Sequence, residues 1–207
     1  MNYKKLAFVA MLSAASSTVI AGGFDGPFVQ AGIGLAHTRM EMSNSNGTSN
    51  AISDDSLVGQ LSGGYSKSFG QFNLAGSVFY DIGKQKAGSQ NMGTAGQLNS
   101  ELKNTWGVSI EPGWNINPTT LAYAKFSYVD TDMKRSGSAN GVRVGSTHSL
   151  SGFGYGLGIK HLFTKNWYGY AEIQKVDFDD VDSSMRHGSV STEPKQITGF
   201  VGAGYRF

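Results

Sequence analysis

Four histidines and no cysteine set the chemistry open to this chain of 207 residues. The tightest arrangement is His187-Gly188-Ser189, with Glu193 four residues beyond the serine. A histidine can take the proton of a serine hydroxyl while a carboxylate orients the imidazole, so this spacing suits a nucleophilic hydrolase. The cluster falls in a polar stretch between strands, which would not hold three groups in register. His148-Ser149 has no acidic residue close in sequence. Asp177, Asp179, Asp180 and Asp182 crowd carboxylates into one short run. Such oxygens suit a divalent cation, but the run lacks a calcium-loop spacing and reads as a solvated strand end. With no cysteine there is no disulfide framework, no thiol nucleophile and no cysteine-bound zinc. Neither a metal nor a cofactor is expected.

The elements that would position these groups are strands. Residues 1–21 come first and stand apart. Lys4 and Lys5 give a basic start, Leu6 to Ile20 an apolar stretch, and Val19-Ile20-Ala21 a small-x-small cleavage pattern. That is the form of a secretory signal, and it leaves 22–207 as a single domain. The signal carries two of the 17 basic residues and none of the 15 acidic ones, leaving 15 against 15. No basic excess points to nucleic acid. After the signal no stretch is long enough for a membrane helix. A mean hydropathy of −0.24 is what alternating apolar and polar residues average to.

Alternation is the dominant signal. Side chains on a strand point to opposite faces with period two. Val29, Ala31, Ile33 and Leu35 form one apolar face; so do Leu57, Leu61 and Tyr65, then Phe72, Leu74, Val78, Tyr80 and Ile82. Leu102, Trp106, Val108, Ile110 and Trp114 continue it, followed by Phe126 and Tyr128, by Phe153 to Ile159, by Gly169 to Ile173, and by Ile197 to Phe207. These make eight strands. Residues 41–56, 84–97, 134–147 and 183–195 read as long polar loops, while the breaks near Phe69-Gly70, Asn117-Pro118 and Lys165-Asn166 read as tight turns. Long and short connections that alternate are the mark of an all-β, eight-stranded, antiparallel up-and-down transmembrane barrel, with both termini on the periplasmic, short-turn side.

Mid-strand charges orient the wall. Glu111, Lys125, Lys160, Glu172 and Arg206 all lie opposite the apolar stripe. A lysine or arginine facing lipid at the midplane costs about 2–4 kcal/mol, so these five belong in the lumen. Eight strands enclose a space that side chains can fill, which argues against a wide pore. Phe28, Phe72, Trp114, Phe163, Trp167, Tyr205 and Phe207 gather near the short turns as an interfacial girdle, with His161 as an amphipathic anchor beside them.

The chain ends Gly202-Ala203-Gly204-Tyr205-Arg206-Phe207. Tyr205 and Phe207 on one face resemble the terminal signature read by the outer-membrane barrel-assembly machinery. With the strand pattern, this makes residues 28–207 resemble the OmpA/OmpX-like superfamily of small outer-membrane barrels, opacity-type adhesins included. Trp167 to Gln174, followed by Asp177-Phe178, resembles that family's penultimate strand. The resemblance implies an integral outer-membrane protein embedded in lipid and lipopolysaccharide, with no catalytic role. Its loops would meet lipopolysaccharide or a host ligand, basic Lys134, Arg135 and Arg143 among them. The alternative is a lipid A-modifying hydrolase, because His187-Gly188-Ser189 loosely resembles the His-x-Ser of outer-membrane lipid A deacylases. The Asn-Gly expected after that serine is replaced by Val190-Ser191. A narrow pore or a lipocalin-like periplasmic carrier are further alternatives.

Overall fold

The computed structural model describes residues 23–44, 49–83, 85–91, 97–139, 142–179, 181–185 and 188–207. The expected signal, 1–21, lies outside them. Ten strands follow one another: β1 (Gly26–Asn44), β2 (Ser49–Phe69), β3 (Phe72–Ile82), β4 (Gln85–Asn91), β5 (Gln97–Asn117), β6 (Thr120–Ala139), β7 (Val142–Leu162), β8 (Trp167–Phe178), β9 (Val181–Met185) and β10 (Gly188–Arg206). Every pairing is antiparallel, and β1 pairs with both β2 and β10, so the sheet closes on itself. Two staves of the wall are built in two pieces. β3 and β4 run end to end along β5, and β8 and β9 along β10. The result is a closed barrel of eight staves.

The wall is inside-out relative to a soluble protein. Ile33, Leu35, Leu57 and Leu157 are 62%, 68%, 69% and 66% exposed, while Lys125 is 1% exposed. Apolar side chains face outward and polar ones inward along each stave, which only a lipid surround rewards. That polarity is incompatible with a lipocalin-like carrier. Along β3 the outward row runs from Phe72 to Ile82. At the rise of a tilted strand this gives an apolar band about 25 Å tall, enough for an outer membrane.

At one edge the staves are joined by tight turns. Gly70 takes a φ of 68°, which suits the primed two-residue hairpin between β2 and β3. Asn117 Oδ1 accepts bonds from the Thr119 N–H and hydroxyl at 2.9 and 3.0 Å, closing the turn around Pro118. The Thr164 hydroxyl accepts from the Asn166 and Trp167 N–H groups at 3.3 and 3.0 Å. Gly26 and Phe207 lie at this same edge.

The opposite edge differs from the sequence reading. Most of 41–56, 84–97, 134–147 and 183–195 is strand, not loop. Met42 still pairs with Thr192 and Asn50, and Ser138 with Arg143. Once a stave leaves lipid, both faces meet water and the alternation that marked the strand disappears, yet the backbone ladder continues.

Two side chains also face the other way from expectation. Leu102 is buried inside, with Phe79, Val129, Met133, Leu150, Val176 and Phe178. Its stave carries a bulge between Lys103 and Trp106 opposite Asp132 and Asp130, where Asn104 adopts a φ of 53°. One extra residue flips the parity of everything beyond it. Phe28 is likewise buried in the lumen rather than part of the girdle. A second girdle, which the sequence reading lacked, rims the far edge of the apolar band with exposed Tyr80, Trp106, Tyr128, Phe153 and Tyr155.

Candidate functional site

The lumen is where charged side chains converge. Glu111 comes from β5, Lys125 from β6, Lys160 from β7 and Glu172 from β8, all turned inward by strand parity. Lys160 Nζ donates to Glu111 Oε2 at 2.7 Å, and Lys125 Nζ donates to Glu172 Oε1 at 2.8 Å. Each pair skips one stave. Lys125 reaches Glu172 past β7, whose inward positions opposite these two residues are Gly156 and Gly158. A Cβ at Gly158 would lie 2.3 Å from Tyr123 Cζ, so the missing side chain is what lets the ring lie across the strand.

Remaining lone pairs are also engaged. The Tyr123 hydroxyl donates to Glu172 Oε2 at 2.8 Å, and Ser77 and Ser109 donate to Glu111 Oε1 at 3.2 and 3.3 Å. Lys160 Nζ sits 4.6 Å from the Tyr123 ring centre and 4.9 Å from that of Phe28; Lys125 Nζ is 4.9 Å from Phe79. The rings give the ammonium groups a favourable wall where water is scarce. Buried ions matched this fully neutralise one another and fill the interior.

Arg206 stands apart from this network. Position 206 has inward parity, but it falls in the last row, where the lumen has ended. Its Nε and Nη2 donate to the Lys165 carbonyl at 3.1 and 2.9 Å, and Nη1 to the Asp25 carbonyl at 3.1 Å. It therefore ties the last turn to the segment preceding β1. That segment closes the mouth, which the sequence reading did not foresee. Phe24 is buried against Tyr168, ring centres 6.0 Å apart. Asp25 Oδ1 accepts the Ser68 N–H at 2.7 Å, and Lys67 stands 3.4 Å from Oδ2. A Phe-Asp pair before the first strand was its only sequence signal.

Tyr205 and Phe207 point outward beside Trp167. Their rings stack edge to face, 5.2 Å from Trp167 to Tyr205 and 5.0 Å from Tyr205 to Phe207. The Phe207 N–H donates to the Pro27 carbonyl at 2.9 Å across the closing seam.

The hydrolase residues are not brought together in any described geometry. His187 lies outside the described residues. Ser189 and Glu193 sit on β10, opposite Ser184 and Glu41. Of the other histidines, exposed His37 meets Asp55 at 2.7 Å and His161 meets the Thr120 hydroxyl at 3.0 Å; His148 is exposed. In the acidic run, Asp177 pairs with Lys175 at 3.0 Å and Asp180 lies outside the described residues.

An outward apolar band between two aromatic girdles, around a polar and filled interior, defines a transmembrane β-barrel. The chain belongs to the outer membrane protein beta-barrel domain family, whose pattern matches residues 6–207. It is therefore an integral outer-membrane protein. No curated protein sequence matches it significantly. Among solved structures, the outer membrane protein OprG of Pseudomonas aeruginosa is similar in fold, with a TM-score of 0.56 at 10% identity over 90% of this chain and 98% of that one. Ail, the attachment invasion locus protein of Yersinia pestis, aligns with a TM-score of 0.46 at 16% identity over 88% and 99%. Neisserial surface protein A aligns at 0.45 and 13% identity over 88% and 100%.

Proposed function

We propose that this chain is a membrane anchor that presents paired strand arms at the cell surface for binding. One observation carries the reading. The staves run past the apolar band at one edge only, by roughly 20–30 Å beyond Leu35 on β1 and Phe153 on β7. At the other edge they stop at turns of two to four residues. Material built out on one side alone belongs to the side where something is met. In this reading the arms are extracellular, both termini are periplasmic, and residues 1–21 are the export signal removed on the way.

The arm formed by β6 and β7 is the preferred contact surface. Lys134, Arg135 and Arg143 give it a basic character suited to phosphates of lipopolysaccharide or to sulfated and acidic glycans of a host. Replacing 134–147 with a two-residue turn tests this. The shortened protein should still fractionate with outer membranes and keep heat-modifiable gel migration, because the apolar band is untouched. Adhesion of cells displaying it to glycan-coated surfaces should fall. Unchanged adhesion and envelope phenotypes would remove the arm from the function.

The hydrolase reading has less support. Ser189 and Glu193 are four positions apart on one strand, which separates their backbones by about 13 Å. Mass spectrometry of lipid A from cells with and without the protein decides between the two. An unchanged pattern supports the anchor, and loss of an acyl chain supports the hydrolase.

A further inference from the structure

Three carboxyl and two ammonium side chains lie buried between the two ends of the barrel among the described residues: Asp81, Glu111, Glu172, Lys125 and Lys160. The two lysines are matched one to one by Glu111 and Glu172. Asp81 is the third carboxyl group, and among the described residues no third lysine pairs with it. Its oxygens accept amide hydrogens instead, from Gln60 Nε2 at 2.9 Å and Gln85 Nε2 at 3.2 Å. Amides orient a carboxylate without cancelling its charge, and an unmatched buried charge is costly.

The bond to Asp81 fixes the amide of Gln60. Its Oε1 is then left buried without a hydrogen-bond partner, on a residue only 2% exposed. Asp81 and Gln60 both line one internal cavity of about 10 Å³, with Thr105, Gln174 and Thr198 beside them and an apolar wall made of Phe79, two valines and a second phenylalanine. That volume admits a single water-sized particle. A carboxylate and carbonyl and hydroxyl oxygens form a hard, all-oxygen donor set.

We propose that this cavity binds one alkali-metal cation of sodium size, held by the Asp81 carboxylate and Gln60 Oε1. The charge decides the ion. One unmatched carboxylate calls for one positive charge. A calcium ion would seek six to eight oxygens, commonly from several carboxylates, in a space that holds one particle. Water alone would satisfy Gln60 Oε1 and leave the charge.

The full-length barrel, refolded in detergent, tests the site in two ways. In high-resolution crystals grown in sodium chloride, a peak is expected within bonding distance of Asp81 and Gln60, with contacts shorter than a water makes. In urea titrations at equal ionic strength, the unfolding midpoint should be higher in sodium chloride than in choline chloride and should rise with sodium until the site saturates. Asp81→Asn should abolish that sodium dependence. Gln60→Met, which loses one oxygen ligand, should raise the half-saturating sodium concentration about tenfold. If Asp81→Asn does not refold, the wild-type crystals and Gln60→Met still decide. No peak with contacts that short, or equal midpoints in the two salts, would overturn the proposal. A sodium dependence that survives in Asp81→Asn would overturn it as well.

Discussion

The Lys125–Glu172 pair is satisfied on both sides, and that makes it fragile to half-removal. The lysine has one carboxylate oxygen at 2.8 Å, and the other oxygen takes the Tyr123 hydroxyl at 2.8 Å. Substituting Lys125→Met leaves the Glu172 carboxyl group buried without its cation. Removing one partner of such a pair costs about 3–5 kcal/mol, whereas replacing both with apolar groups of similar volume is often neutral. Lys125→Met alone should therefore lower the urea midpoint of the refolded barrel sharply. Adding Glu172→Leu should recover most of the loss, although Tyr123 then loses its acceptor. A double variant as unstable as the single one would show that packing around Gly156 and Gly158, not charge matching, sets the stability of this layer. The sequence placed Glu111, Lys125, Lys160 and Glu172 on the polar face, because parity along a stave is readable from the alternation. Which lysine meets which glutamate was not readable, since each bond skips a stave and depends on register around the closed wall. Arg206 shows the limit of parity: it tells the face, but not where along the stave the lumen ends.

At the scale of the strand, one residue redirects half of β5. Asn104 holds a φ of 53° at the bulge, a conformation asparagine tolerates and a β-branched residue does not. Asn104→Gly should leave stability unchanged or slightly raised, while Asn104→Val should cost about 1–3 kcal/mol, read from unfolding midpoints in micelles. Deleting Asn104 is the harsher test. It would restore the simple alternation and drive Leu102 outward from its cluster with Phe79 and Met133. This bulge is also why the sequence misassigned Leu102, for nothing in Lys103-Asn104-Thr105 announces an extra residue. The ends of the staves were misjudged for a related reason. Apolar alternation reports contact with lipid, not hydrogen bonding, so it stops at the membrane surface while β1, β2, β6 and β7 continue in paired ladders. The last strand carries a further prediction. Tyr205 and Phe207 face outward with Trp167, and the Phe207 N–H joins Pro27 across the seam. In cells, Phe207→Ala should lower the amount of heat-modifiable barrel in the outer membrane, as loss of an assembly signal requires. Refolding of the same variant from urea into detergent should be nearly normal. Equal defects in both settings would make Phe207 a structural residue only.

For the molecule as a whole, the question is whether a closed barrel of eight staves can also conduct. The interior of such a barrel is just wide enough for side chains to fill it. Here three sets of side chains fill it. Phe24, Leu121, Leu162 and Tyr168 belong to one buried apolar cluster, which includes the plug at the short-turn mouth. The paired charges of Glu111, Lys160, Lys125 and Glu172 occupy the middle. Leu102, Val129, Met133, Leu150, Val176 and Phe178 close the side toward the arms. An ion crossing this interior would have to break buried ion pairs and then squeeze past packed apolar side chains, so the barrier is distributed along the axis. Planar bilayer recordings of the purified wild-type barrel should show no stable openings on the nanosiemens scale. Removing only the mouth, with Phe24→Ala, should not change that, because two layers remain behind it. Steady conductance in the wild type would mean that these layers part in the membrane, and the barrel would then be a gated passage rather than an anchor. Conductance that begins only with Phe24→Ala would instead place the whole seal at the short-turn mouth and leave the charged layer permeable.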